Sequence, residues 1–146
     1  MQEFYCKTKL VSGENALDWL DKQQCRTLLL VADPYFVENG WAEKIAGRVK
    51  AEKRTYFSNI KPDPTVELAA EGTARLKAFA PDLLVALGGG SAMDCAKAIG
   101  YFGKGDYKVA AIPTTSGSGS EVTDFAILTH NQVKHPLVDQ RLRPDL

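Results

Sequence analysis

The sequence has no excess of charge of either sign. Its 146 residues include 18 Lys or Arg and 18 Asp or Glu. Proteins that bind nucleic acid or an anionic membrane through their overall field carry a basic surplus, so this balance argues against both partners. No run of about 18 apolar residues occurs either, so the sequence offers no candidate for a membrane-spanning helix.

Cysteine is also scarce. Cys6, Cys25 and Cys95 are odd in number and widely spaced, which predicts free thiols rather than a disulfide framework or a zinc site. The first nine residues are polar and of mixed charge, unlike a secretory signal peptide, and we expect a cytoplasmic protein.

Short apolar runs alternate with helical patterns along the chain. Strands are predicted at 4–10, 27–32, 54–58, 83–87 and 109–112, and helices at 14–20, 35–48 (broken at Gly40), 65–79 and 91–102. Two last strands, 122–129 and 133–138, flank a turn. This order predicts an α/β fold, a Rossmann-like, mostly parallel sheet flanked by helices and ending in a β-hairpin. We expect one domain over residues 1–146.

The stretch from Leu83 to Lys97 organises the rest of the chain. Its apolar run stops at Gly88-Gly89-Gly90, where the missing Cβ atoms would let a ligand approach the backbone. Ser91 is predicted to cap the following helix, with Asp94 at a capping-box spacing. A helix N-terminus behind a glycine turn is typical of phosphate binding.

The glycine turn is not decisive by itself. Met93 stands where the common dinucleotide fingerprint has its third glycine, and no Gly-Lys-Ser/Thr follows as in a Walker A loop. A tight turn without a ligand remains an equal alternative for this stretch alone.

Two further strand ends carry polar residues. Asp33 follows the strand at 27–32, and a run of Thr, Ser and Gly at 114–120 follows the strand at 109–112. Parallel strands would place all three ends at one edge, where a carboxylate can bind the adenosine ribose and disfavour a 2′-phosphate. Asp33 before Pro34 is also typical of a helix cap. A surface loop is the alternative for 114–120, but seven residues of Thr, Ser and Gly directly after a buried strand favour a binding loop. Together the three ends favour nucleotide binding, with NAD over NADP.

Two long motifs resemble the iron-containing, group III alcohol dehydrogenase family. Residues 88–99 are similar to its GGGSxxDxAKAI segment and residues 113–123 to its PTTxGTGSEVT segment; Pro62-Asp63-Pro64-Thr65 resembles a third, weaker element. Within the family the chain looks most like the propanol and ethanol dehydrogenases of propanediol- and ethanolamine-utilising bacteria. The resemblance implies a nucleotide-binding domain here and an all-helical, metal-binding domain downstream, absent from this chain.

The resemblance also implies which residues contact the cofactor. Asp33 would bind the adenosine ribose and the 89–91 turn the pyrophosphate, with Asp94 near the nicotinamide end. The hydroxyl residues of the second motif would line the phosphates and the nicotinamide ribose, and Lys134 would reach in from the last strand. The full set is Asp33, Gly89, Gly90, Ser91, Asp94, Thr114, Thr115, Ser118, Thr123 and Lys134.

Some positions depart from the family pattern. Ser118 replaces the usual threonine but keeps its hydroxyl, and Asp63 stands where many members have asparagine. The family's metal ligands, an aspartate and histidines, would lie in the helical domain. His130 and His135 are expected at the surface, so no metal ligand and no catalytic residue is predicted in this chain.

The expected function is therefore the cofactor-binding part of an NAD-dependent alcohol dehydrogenase. The resemblance implies Fe²⁺ or another divalent ion, an alcohol or aldehyde substrate and a homo-oligomer at full length. The 146 residues alone should be inactive. Two alternatives stay open: a glycerol dehydrogenase or dehydroquinate synthase-like enzyme, and a non-catalytic, stand-alone nucleotide-binding module.

Overall fold

Strands and helices alternate along most of the chain. The computed structural model describes residues 1–3 and 5–146. Short 3₁₀ helices cover Ala16–Lys22 and Gln140–Leu142. The strands are β1 (Gln24–Ala32), β2 (Lys50–Phe57), β3 (Leu83–Gly88), β4 (Lys108–Pro113), β5 (Phe125–His130) and β6 (Val133–Val138). The helices are α1 (Pro34–Glu38), α2 (Trp41–Arg48), α3 (Val66–Phe79) and α4 (Gly90–Gly103).

The central sheet is fully parallel, with the strand order β2-β1-β3-β4. β1 pairs with β2 on one side and with β3 on the other, so the strand order reverses between β1 and β3. In open α/β sheets, ligands bind at the carboxyl ends of the strands near such a reversal. β5 and β6 form a separate antiparallel hairpin. The predicted α/β architecture and the closing hairpin are confirmed.

Helices cover both faces of the sheet. On one face Leu28 and Leu30 pack in a buried cluster with Ile45 of α2. On the other face Leu29 and Val31 pack with residues of α3 and α4, including Met93 and Ile99. Alternate residues of β1 thus enter opposite cores, which explains its uninterrupted apolar sequence.

The break predicted at Gly40 is present. Gly40 has φ +75° and separates α1 from α2. A glycine adopts this left-handed backbone without the steric cost that a Cβ would bring. The chain therefore turns there between two short helices instead of forming one continuous helix.

Two predicted strands differ in the structure. The prediction of a strand at 4–10 is wrong for residues 5–10, which form none; Phe4 lies outside the described residues. This segment instead docks on the chain's last residues: Thr8 Oγ1 donates to Pro144 O (2.8 Å) and Lys9 N to Asp145 O (2.9 Å). The strand predicted from residue 122 begins only at Phe125, because the preceding residues continue the loop.

The cysteines and histidines lie as predicted. Cys6, Cys25 and Cys95 are free, and Cys95 is buried. Burial raises the pKa of the Cys95 thiol to about 12, so it behaves as a small apolar side chain. His130 and His135 are exposed on the hairpin. None of the described helices is long and apolar enough to cross a membrane.

Close packing between α3 and α4 generates a stability prediction. A Cβ on Gly72 would lie 2.2 Å from Cδ1 of Ile99, and Ile99 is fully buried, so it has little room to move. We expect Gly72→Ala to lower the free energy of unfolding by about 1–3 kcal/mol, as overpacking does. Urea unfolding would measure the change.

Gly47 provides the matched control. It lies exposed in α2 with no atom within 4 Å of a built Cβ, so Gly47→Ala should stabilise by up to about 1 kcal/mol through helix propensity. Adding Ile99→Val to Gly72→Ala should recover part of the loss. Equal effects of the two alanine substitutions would contradict the packing argument.

Candidate cofactor-binding site

The carboxyl ends of β1, β3 and β4 meet at one edge of the sheet. Ala32 pairs with Leu87 and Gly88 with Pro113. Just beyond these pairs, Asp33 N donates to Leu87 O (3.3 Å) and Thr114 N donates to Gly88 O (3.0 Å). Two segments far apart in sequence are thus hydrogen-bonded to the glycine turn or to the residue before it.

The glycine turn is a close passage between β3 and α4. Gly88 has φ +150°, and a Cβ there would lie 2.6 Å from the Ala92 Cβ and 3.6 Å from the Asp33 Cβ. A side chain at this position would be both strained and obstructed. Glycine is therefore required by the backbone path itself, before any ligand is considered.

Helix α4 begins one residue earlier than predicted. Gly89 is its N-cap, with no side-chain cap hydrogen bond, so the predicted Ser91 cap and its capping box with Asp94 are wrong. Met93 N donates to Gly89 O (3.0 Å) as the first helical bond. The N–H groups of residues 90–92 have no partner within the helix, and this leaves donors for an anion at the turn.

The hydroxyl-rich loop lies against the same turn. A Cβ on Gly89 would be 3.2 Å from Thr115 Oγ1, and one on Gly90 would be 3.3 Å from the Ser118 Cβ. The loop thus borders the helix N-terminus, and Thr114, Thr115 and Ser118 remain exposed there. Larger residues at 89 and 90 would fill the narrow space between turn and loop.

Asp33 caps a helix and also stands at the sheet edge; its ribose contact stays a prediction. It caps α1, with Oδ1 accepting from Tyr35 N at 3.1 Å, as its place before Pro34 suggests. It also stands beside Gly88 at the sheet edge. A carboxylate has about four acceptor positions, so the cap leaves capacity for a ribose hydroxyl.

Asp94 is occupied by the protein. It accepts a hydrogen bond from Ser120 Oγ, and its Oδ2 accepts from Ile127 N at 3.0 Å. These bonds tie α4 to the end of the loop and to β5. Its placement near the nicotinamide stays a prediction, and the described hydrogen bonds show it as a support for the loop.

Thr123 and Lys134 also make contacts within the protein. Thr123 Oγ1 accepts from Lys97 Nζ at 3.2 Å. Lys134 Nζ lies 2.7 Å from Asp63 Oδ1, and both side chains are more than half exposed. The described contacts of Lys134 thus connect the hairpin to the proline-rich segment and not to the glycine turn.

Sequence reasoning missed Lys97, which is only 2% exposed. Its Nζ is surrounded by oxygen atoms of Ser120, Thr123 and Phe125. The signal that could have found it is its position among buried residues of a small-residue helix, one turn after Asp94. Burial lowers the pKa of Lys97 to about 8. The carboxylates of Asp94, Asp124 and Glu121 act in the opposite direction and offset part of this shift.

The described residues do not fit a metal ion. Residues 1–3 and 5–146 contain no group of three or more His, Cys, Asp or Glu side chains that could hold one. The site at the sheet edge is built from N–H donors, hydroxyls and one carboxylate. That donor set suits a nucleotide with its phosphates and riboses.

A sequence model of the iron-containing alcohol dehydrogenases matches residues 7–146. The chain belongs to this family. It is 35% identical over 154 residues to the 1-propanol dehydrogenase PduQ of Citrobacter freundii, a match that covers all of this chain and 41% of that protein. It is 28% identical over 170 residues to the NADPH-dependent butanol dehydrogenase of Clostridium saccharobutylicum, covering 100% of this chain and 44% of the relative.

A solved family member has the same fold. The iron-containing alcohol dehydrogenase of Thermococcus thioreducens superposes with a TM-score of 0.86 at 29% identity, covering 98% of this chain and 45% of that one. The chain thus spans less than half the length of these relatives. The resemblance inferred from the two motifs is confirmed at the level of the family.

The buried amine of Lys97 generates a pH prediction. Its pKa is about 8 in the folded protein against an ordinary value of 10.5, so the unfolded chain binds more protons between these values. The contribution of this group to the free energy of unfolding must then rise with pH from about 8 to about 10.5, by at most about 3 kcal/mol.

Urea unfolding at half-unit pH steps would test this linkage. The free energy of unfolding of the wild type minus that of Lys97→Met should rise across the window, because other titrating groups cancel in the difference. Lys53→Met, at an exposed lysine on β2, is the surface control for the substitution itself. A flat difference for Lys97 would show that its amine is not buried in the folded protein.

Proposed function

We propose that this chain is the NAD-binding part of a metal-dependent alcohol dehydrogenase that interconverts small alcohols and aldehydes by hydride transfer. The observation that carries the proposal is the meeting of Asp33, the glycine turn and the 114–118 loop at one sheet edge. Membership of the iron-containing alcohol dehydrogenase family supplies the reaction class.

The glycine turn is the proposed pyrophosphate site. The N–H groups at the start of α4 and the positive end of its dipole attract a phosphate. Gly89 and Gly90 leave a space bordered by Thr115 and Ser118 that a Cβ would reduce. Ser91, in the first turn of α4, can donate its hydroxyl to the same group.

The flanking strand ends are the proposed ribose sites. Asp33 would accept hydrogen bonds from the adenosine ribose hydroxyls and repel a 2′-phosphate, which favours NAD. The name of the Clostridium relative specifies NADPH, so NADP is the alternative that must be measured. The hydroxyls of Thr114, Thr115 and Ser118 would bind the second phosphate and the nicotinamide ribose.

The bound nicotinamide would accept the hydride that leaves the alcohol carbon. Since the chain spans less than half the length of its relatives, we place the metal ligands that the family implies in a further domain of a longer protein. 1-Propanol is the first substrate to examine because of the PduQ similarity. A homo-oligomeric, cytoplasmic enzyme remains our expectation for the whole protein.

Calorimetric titration of the chain with NAD and with NADP tests the proposal. The wild type should bind NAD in a saturable way and NADP more weakly. Asp33→Asn keeps the helix cap, because asparagine caps as well as aspartate, but removes the charge. We expect it to weaken NAD binding by about tenfold or more, as loss of charge-assisted hydrogen bonds does, and to improve NADP binding.

Asp139→Asn is the matched control. Asp139 also caps a short helix, with Oδ1 accepting from Arg141 N. Its substitution should leave the affinities for NAD and NADP unchanged. An unaltered ratio of NAD to NADP affinity in Asp33→Asn would remove Asp33 from the site. Saturable binding of neither nucleotide by the wild type would overturn the cofactor site in this chain.

The chain alone should not oxidise alcohol. With NAD, Fe²⁺ or Zn²⁺ and 1-propanol, we expect no absorbance increase at the wavelength of NADH, since the described residues cannot assemble a metal site. PduQ of Citrobacter freundii, assayed in parallel, is the positive control. Metal-stimulated turnover by the 146-residue chain would contradict this expectation.

A further inference from the structure

Helix α4 makes a second set of contacts with the end of the hydroxyl-rich loop, one to two turns after the helix N-terminus. Asp94 and Lys97 lie one helical turn apart, and both bind groups of residues 120–127. We call these two side chains and their hydrogen bonds the loop clamp. The clamp lies on the same helix whose first turn forms the proposed pyrophosphate site.

Lys97 is the centre of the loop clamp. Its Nζ donates to Ser120 O (2.9 Å), Thr123 Oγ1 (3.2 Å) and Phe125 O (2.5 Å), with Ser120 Oγ at 3.4 Å. An ammonium group has three N–H donors. All three therefore have acceptors within the protein.

A buried ammonium group at position 97 does not by itself favour the folded state. Taking an ammonium out of water costs several kcal/mol, and an apolar side chain of similar volume is often as stable or more so. What the amine provides is a set of three directional hydrogen bonds. Its three bonds fix two backbone carbonyls and one side chain in a single arrangement, which an apolar residue cannot do.

The loop needs an external support. A Cβ added to Gly117 (φ +105°) or to Gly119 (φ +64°) would have no atom within 4 Å. Residues 114–118 are exposed. The hydrogen bond from Thr114 N to Gly88 O fixes one end of this segment. Ser120 fixes the other end, because its carbonyl accepts from Lys97 and its hydroxyl donates to Asp94.

We propose that Lys97, assisted by Asp94, is a positioning residue that holds the 114–120 loop against the glycine turn, so that Thr115 and Ser118 are already in place when a dinucleotide binds. Lys97 does not touch the cofactor, because it is buried and its donors are used. This inference rests on the proposed function. The inference adds the support that orders the nicotinamide side of the site before the dinucleotide binds.

The first test needs no nucleotide. Hydrogen–deuterium exchange of the chain should show faster exchange of the 114–127 segment in Lys97→Met than in the wild type, by about tenfold or more in protection factor, which corresponds to the loss of one charge-assisted hydrogen bond. Exchange of β3 should be unchanged. Equal exchange of the 114–127 segment in both proteins would overturn the clamp.

The second test compares two nucleotides. AMP reaches Asp33 and the glycine turn, whereas NAD also needs the loop. Calorimetry should show Lys97→Met weakening NAD binding by about tenfold or more while AMP affinity stays within about twofold. A general loss of stability would not produce this split.

Cys95→Ala is the matched control for both tests. Cys95 is fully buried two residues from Lys97 and packs in the cluster between α4 and the sheet, so its truncation destabilises the same helix without touching the loop. It should change neither loop exchange nor the ratio of NAD to AMP affinity. A similar split in Cys95→Ala would overturn the assignment to Lys97.

The outcomes separate this inference from the proposed function. If the wild type binds NAD and Lys97→Met binds it equally well, or loses AMP in the same proportion, the positioning role is overturned while the proposed function stands. If the wild type binds neither nucleotide, the proposed function is overturned, and the positioning role with it, even where the exchange result shows the clamp.

Discussion

Parallel hydrogen bonding among β1, β3 and β4 brings three strand ends to one edge, and the rest of the site depends on this register. Gly88 pairs with Pro113 across one side of β3, and Leu87 pairs with Ala32 across the other. A shift of one residue in either pairing would reverse the faces of a strand that is buried on both sides. The two cores on either face of the sheet therefore fix where Asp33 and Thr114 stand.

Helix α4 joins the stability of the fold to its proposed function. Its small residues allow close approach to the sheet and to α3, and its N-terminus presents free N–H groups at the glycine turn. Lower on the same helix, Asp94 and Lys97 hold the loop that borders the turn. A rigid helix that positions both the turn and the loop keeps them in one fixed relation.

The family, the α/β architecture and most element positions could be predicted from the sequence. Continuous apolar runs predicted β1 and β3, and two long motifs carried the resemblance to the family. Local details were less predictable. Ser91 fits the pattern of a cap, but Gly89 takes an extended conformation, φ −85° and ψ −167°, and α4 starts before the serine. The N-terminal segment looked like a strand, but residues 5–10 form none, and Thr8 and Lys9 dock on the last residues of the chain.

Local periodicity, together with residues whose backbone needs are specific, was enough to predict the strands of the parallel sheet, the glycine turn and the hydroxyl-rich loop. The roles of Asp94 and Lys97 depend instead on contacts between distant parts of the chain. A lysine in a helix sequence is normally expected to face solvent. Lys97 is buried because residues 120–125, more than 20 positions further along the chain, fold over it, and the environment that holds its amine does not exist until they do.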